Sequence, residues 1–162
     1  MVKYYNAMVV FEEIPDEITL AINITNCPCH CKGCHSQFLW EDIGTELTYD
    51  ELKRLMLKND GITCVCFMGG DANPSEINKL AEMKLYDQQF DNINVGWYSG
   101  MDELSKDIDL ELFEYIKLGH YDEELGGLNK QTTNQRLYKV KTEDENYVLK
   151  DITYKFWKKK NT

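Results

Sequence analysis

At 162 residues, with 43% hydrophobic and 12% aromatic side chains, the chain has the size and composition of one folded domain, which excludes a disordered segment. Its 28 acidic side chains outnumber 18 basic ones, and a net charge of -10 repels phosphate backbones, so no nucleic acid is expected as a partner. No repeat and no membrane-spanning apolar run is present; the polar start Met-Val-Lys-Tyr-Tyr-Asn, soon followed by Glu12 and Glu13, lacks a signal peptide's apolar stretch. A cytoplasmic protein without a membrane partner is expected.

In chain order, residues 18–25, Ile-Thr-Leu-Ala-Ile-Asn-Ile-Thr, read as a strand that runs straight into a cysteine-rich loop. Thr48-Tyr-Asp-Glu51 has capping-box spacing and opens a helix with Leu52, Leu55 and Met56 on one face. Ile62 to Met68 is a nearly continuous apolar run, as a strand covered on both faces requires, and it ends at Gly69-Gly70-Asp71. Asn73 and Pro74 start a second helix, with Leu80, Met83 and Leu85 expected to face inward. Ile93 to Tyr98 reads as a strand ending at Ser99-Gly100. A short helical stretch near Asp102 to Ser105 follows, then a strand from Phe113 to Leu118 ending at Gly119.

Tyr121 to Gln135 is polar and glycine-containing, the pattern of a long functional loop. Arg136 to Lys141 and Tyr147 to Thr153 form an expected hairpin around the turn Thr142 to Asn146. In the tail, Lys155, Lys158, Lys159 and Lys160 surround Phe156 and Trp157, read as a solvated end with a docked aromatic pair. Alternating strands and helices imply a parallel sheet. A complete (β/α) barrel takes about 250 residues, so the fold expected is α/β: an incomplete (β/α) barrel with mostly parallel strands and a short C-terminal hairpin, as a single domain over 1–162. Its ligands would gather at the carboxyl ends of the strands.

The chemistry concentrates in Cys27-Pro-Cys29-His-Cys31-Lys-Gly-Cys34. Cys27, Cys31 and Cys34 have C-x3-C-x2-C spacing, and three thiolates from one loop can hold three corners of a 4Fe-4S cubane, leaving the fourth iron open to a small molecule. Cys29 is then a spare thiol. A tetrahedral zinc site using all four thiolates is the alternative, although zinc ribbons draw ligands from two separated knuckles. Lys32 and loop N–H groups are candidates to tune the cluster's potential. Cys64 and Cys66, within an apolar run, read as buried inert thiols.

Gly69 and Gly70 would let the backbone approach an amino-acid-like ligand, or simply make a tight turn. Asp71 could accept from an ammonium or favour the following helix terminus. His35 could lie against a bound adenine or be a solvated loop histidine. Ser99 is either a ligand contact or a turn serine. Asn134-Gln135-Arg136 offers a carboxylate or ribose clamp, with a surface salt bridge as the alternative. Trp40, Trp97 and Trp157 read as packing residues.

Taken together, Thr25-Asn26-Cys27, Cys31-Lys-Gly-Cys34-His35, Gly69-Gly70-Asp71, Trp97-Tyr98-Ser99-Gly100, Gly119-His-Tyr-Asp-Glu-Glu-Leu125 and Thr133-Asn-Gln-Arg-Leu137 resemble the radical S-adenosylmethionine superfamily. Within it, they look like the activating proteins of anaerobic ribonucleoside-triphosphate reductase. Departures are Cys29 itself, Ala72 and Asn73 between Asp71 and Pro74, and Thr132-Thr133 before the Asn-Gln-Arg segment.

The resemblance implies an oxidoreductase with a 4Fe-4S cluster on Cys27, Cys31 and Cys34, and S-adenosylmethionine on its open iron. Gly69, Gly70 and Asp71 would hold the methionine ammonium, Ser99 would add a contact, and Gly33, Cys34 and His35 would border the adenosyl part. Reductive cleavage would give a 5′-deoxyadenosyl radical that takes hydrogen from a glycine of the reductase. A low-potential donor such as flavodoxin or ferredoxin would supply the electron. Other readings are a different glycyl radical partner or peptide, an electron carrier, and a non-catalytic zinc-stabilised module.

Overall fold

The computed structural model describes residues 1–157, so Lys158, Lys159 and Lys160 of the tail lie outside the described residues. Eight strands form one mixed sheet: β1 (Lys3–Val10), β2 (Thr19–Ile24), β3 (Thr45–Glu46), β4 (Cys64–Met68), β5 (Asn94–Tyr98), β6 (Tyr115–Leu118), β7 (Arg136–Glu143) and β8 (Asn146–Asp151). They lie in the order β3-β1-β2-β4-β5-β6-β7-β8. The helices are α1 (Tyr49–Lys58), α2 (Pro74–Ala81) and the single turn α3 (Met83–Tyr86).

This corrects the expected incomplete (β/α) barrel with mostly parallel strands. The sheet has two edges, β3 and β8, and helices together with 3-10 turns make up 23% of the described residues. Three pairings are parallel (β2–β4, β4–β5, β5–β6), whereas β1–β2, β1–β3, β6–β7 and β7–β8 are antiparallel. Two local causes produce this outcome. The N-terminal segment, unassigned from sequence, pairs antiparallel with β2, shifting register between Tyr4 and Asn6. The β5–β6 crossover carries only the 3-10 turn Leu110–Leu112, and no helix forms at 102–105.

Alternation along the strands divides the sheet's two faces. Leu20, Ile22 and Ile24, Val65 and Phe67, Val95 and Trp97, and Ile116 and Leu118 point to the main core, where α1 contributes Leu52, Leu55 and Met56 and α2 contributes Ile77 and Leu80. Each fully buried aliphatic or aromatic side chain here stabilises the fold by roughly 1.5–3 kcal/mol. The Thr48 hydroxyl accepts from the Glu51 N–H at 3.1 Å and starts α1. Met83 is buried, but Leu85 is 70% exposed, because α3 ends one residue later and turns that side chain outward.

Cys64, Cys66 and Tyr115 face the other side, with Ile14, Leu137 and Ile152, and Met68, Tyr98, Leu128 and Phe156 against them. That smaller cluster leaves a cavity of about 720 Å³ between the 11–16 segment, Leu128-Asn129 and Lys155-Phe156. Tyr98 lines it and donates its hydroxyl to the Glu13 carbonyl. No helix among the described residues is long and apolar enough to cross a membrane.

Candidate metal centre

Three parallel pairings bring the carboxyl ends of β2, β4, β5 and β6 to one edge of the sheet. The segments that leave this edge are the cysteine loop, Gly69-Gly70-Asp71, Ser99-Gly100 and Gly119. Just below the edge runs a cross-strand row, Asn23–Met68–Tyr98–Lys117, on the face opposite the main core.

The cysteine loop is fixed at its base. Asn26, at a positive φ of 62°, and Cys27 donate backbone N–H groups to Glu41 O and Leu39 O, both at 3.0 Å. His30, also at positive φ (44°), stacks on Trp40 at 4.5 Å between ring centroids. Cys34 N donates to Cys31 O at 3.1 Å, closing a turn, and Cys34 Sγ accepts from Ser36 N at 3.4 Å. All four loop cysteines are free, half-buried thiols. Among the described residues, no three His, Cys, Asp or Glu side chains converge on a position for a single metal ion.

Asp71 organises the centre of the edge. Ser99 Oγ donates to its Oδ1, and Gly100 N donates to its Oδ2 at 2.8 Å. Cys29 Sγ lies 3.9 Å from the same Oδ2 and 3.9 Å from Met101 Sδ. A Cβ on Gly100 would sit 2.7 Å from Cys29 Sγ, so this glycine makes room for the thiol. Burial, then the Asp71 carboxylate, then Cys27 and Cys31 push the Cys29 thiol up to about 12.

The other sequence-predicted residues sort into different neighbourhoods. Gly33 packs under Glu123, whose carboxylate an added Cβ would meet, and Glu123 pairs with Lys32 at 3.4 Å. His35 tilts against Tyr121 at 5.7 Å. The long loop therefore lies over the second half of the cysteine loop, while Cys29, Asp71 and Ser99 form a separate cluster. Gly69 N donates to Tyr98 O at 2.9 Å, and its carbonyl accepts from the Trp97 indole at 2.7 Å. Gly70, at φ 99°, packs against Ile77, whose Cδ1 would be 2.5 Å from a Cβ. Gly70 thus serves internal packing, and a Cβ on Gly69, at φ 110°, would lie 3.2 Å from Ile24 O.

Arg136 pairs with Asp151 at 3.7 Å and lies over the Trp157 ring, away from the Asp71 cluster. Asn134 Nδ2 and Gln135 Nε2 donate to the carbonyls of His120 and Gly119. His120 in turn bonds Asp102 through Nδ1 at 2.7 Å and holds that carboxyl below its ordinary range.

Lys117 went unremarked in the sequence. It is 7% exposed, and its Nζ donates to Ser99 O at 2.9 Å and Gly119 O at 2.7 Å. Burial pushes its ammonium down to about 8, against the upward pull of Asp71, Cys31, Cys29 and Cys27. The available signal was a lysine inside the apolar strand Tyr-Ile-Lys-Leu.

Residues 18–141 match the model of the family described as 4Fe-4S single cluster domain. The chain belongs to this family. No curated protein and no solved structure matches it. As a 4Fe-4S single cluster domain, the chain is one whose cofactor is an iron–sulfur cluster. Its donor set fits that group: soft, unpaired thiols on a loop whose positive-φ turns at Asn26, His30 and Gly33 reverse the backbone around them.

Proposed function

We propose that this 4Fe-4S domain is a radical S-adenosylmethionine enzyme that activates a glycyl radical enzyme, with anaerobic ribonucleoside-triphosphate reductase as its partner. The observation that carries the reading is the trio Cys27, Cys31 and Cys34 on one loop: three thiolates for four irons leave one iron for a small ligand. The resemblance of the flanking segments to the reductase activating proteins supplies the reaction and the partner.

With S-adenosylmethionine bound, the cluster would supply the reductive carbon–sulfur cleavage that the proposed activation needs. The chain's own residues bind, orient and exclude water. Cys27, Cys31 and Cys34 hold the cluster. Asp71, oriented by Ser99 Oγ and Gly100 N, presents a carboxylate to the methionine ammonium. Gly33 and His35 border the adenosyl group, beside the loop that carries Tyr121 and Glu123. The electron comes from a low-potential flavodoxin or ferredoxin in the cytoplasm.

Anaerobically prepared protein given reductant and S-adenosylmethionine is expected to release methionine and 5′-deoxyadenosine, and to raise a glycyl radical signal in added reductase. One zinc and no iron would make it a zinc-stabilised binding module. A complete cluster without cofactor cleavage would make it an electron carrier.

A further inference from the structure

We propose that Lys117 is the buried cation that sets the reduction potential of the cluster held by the cysteine loop. The inference rests on the assignment of Cys27, Cys31 and Cys34 as ligands, but not on S-adenosylmethionine cleavage. Lys117 projects from β6 at the carboxyl ends of the parallel strands, as the register partner of Tyr98, and its Nζ lies 5.9 Å from that ring's centroid. An ammonium has three N–H groups. Two are fixed on the carbonyls of Ser99 and Gly119, the segments that leave β5 and β6 at this edge. Ser99, whose carbonyl accepts from Lys117, also donates its hydroxyl to Asp71, and Asp71 Oδ2 lies 3.9 Å from Cys29 Sγ in the cysteine loop.

Charge and burial together decide the effect. One-electron reduction adds a negative charge to the metal centre, so a fixed positive charge nearby favours the reduced state and raises the potential. Lys32, the loop's own lysine, is a poor candidate because its side chain is 91% exposed and it pairs with Glu123. Lys117 is shielded from water, where a charge is screened far less. A lysine too far from the cluster for its charge to be felt would leave the potential unchanged when that charge is removed.

The test is a redox titration of anaerobically prepared, cluster-loaded protein without S-adenosylmethionine, followed by electron paramagnetic resonance. Lys117→Gln and Lys117→Met are expected to lower the ratio of reduced to oxidised cluster about tenfold at fixed potential, a downward shift of about 59 mV for one electron. Lys117→Met retains apolar contact with Tyr98 and gives a second uncharged variant if Lys117→Gln does not load its cluster. Lys117→Arg, which keeps the charge, should titrate like wild type. Uncharged variants with full clusters that stay within about threefold of the wild-type ratio would overturn the proposal. An arginine variant shifted as far as the glutamine variant would do the same. A protein that never cleaves S-adenosylmethionine still answers this question, and Cys27→Ala tests the ligand assignment separately through loss of the cluster.

Discussion

Replacing Gly70 by Ala asks whether the Gly-Gly turn is built for a ligand or for the fold itself. The new methyl would lie 2.5 Å from Ile77 Cδ1 and 2.6 Å from Ile77 Cγ1, on a residue held at φ 99°. Holding a side chain in that backbone region costs about 1–3 kcal/mol. Overpacking a filled core costs about 1–3 kcal/mol more, giving a loss of about 2–6 kcal/mol. For a chain of this size, the smaller figure lowers the melting temperature by at least about 4 °C. Ile77→Ala alone removes a fully buried side chain and should cost about 2–5 kcal/mol. In the double variant the methyl at position 70 enters space Ile77 has vacated, so the combined loss should fall short of the sum by about 1–3 kcal/mol. Anaerobic thermal melts followed by far-ultraviolet circular dichroism measure all four corners of this cycle. A Gly70→Ala protein within about 0.5 kcal/mol of wild type, or strictly additive losses, would refute the packing argument. A glycine kept only for a ligand's approach would lose cofactor affinity and show no coupling to Ile77.

Three further outcomes follow from the same geometry. Cys27→Ala, Cys31→Ala and Cys34→Ala should each lose the cluster's visible absorption, whereas Cys29→Ala should keep it; equal loss in all four would move Cys29 into the ligand set. Trp97→Phe leaves the Gly69 carbonyl without its indole donor and should cost about 1–3 kcal/mol, read by denaturant unfolding. Glu51 takes two hydrogen bonds from Arg54 and one from Tyr4, and these hold its carboxyl down at about 2 against an ordinary 4.5. Its folded state binds the proton less well than the unfolded chain, so the stability advantage of wild type over Glu51→Gln should be complete above about pH 4.5 and fade as pH falls toward 2. Melts between these limits that show a constant difference would contradict it.

Much of the site's framework was legible because its signals are local. The apolar runs that became β4 and β5 end where expected, at Gly69 and Ser99, and the Thr48 cap marks the start of α1. Four cysteines within eight residues announce a metal centre without any tertiary information. Strand partners were not legible. β1 mixes buried Tyr4 with exposed Tyr5, Met8 and Val9, so its pattern has no clear period and hides the antiparallel pairing with β2. The glycine pair shows a second limit: the sequence leaves a ligand's approach and a tight turn both open, and the packing of Gly70 against Ile77 is a tertiary contact it does not display. Lys117 shows a third. Its meaning lies in the carbonyls of Ser99 and Gly119, and one of these belongs to a different strand's end.

Mössbauer spectroscopy of iron-57 protein, with and without S-adenosylmethionine, addresses the open coordination position most directly. Four irons per chain are expected, one of which alone changes its signal when the cofactor is added. Four irons indifferent to the cofactor, or a preparation holding zinc in place of iron, would contradict it.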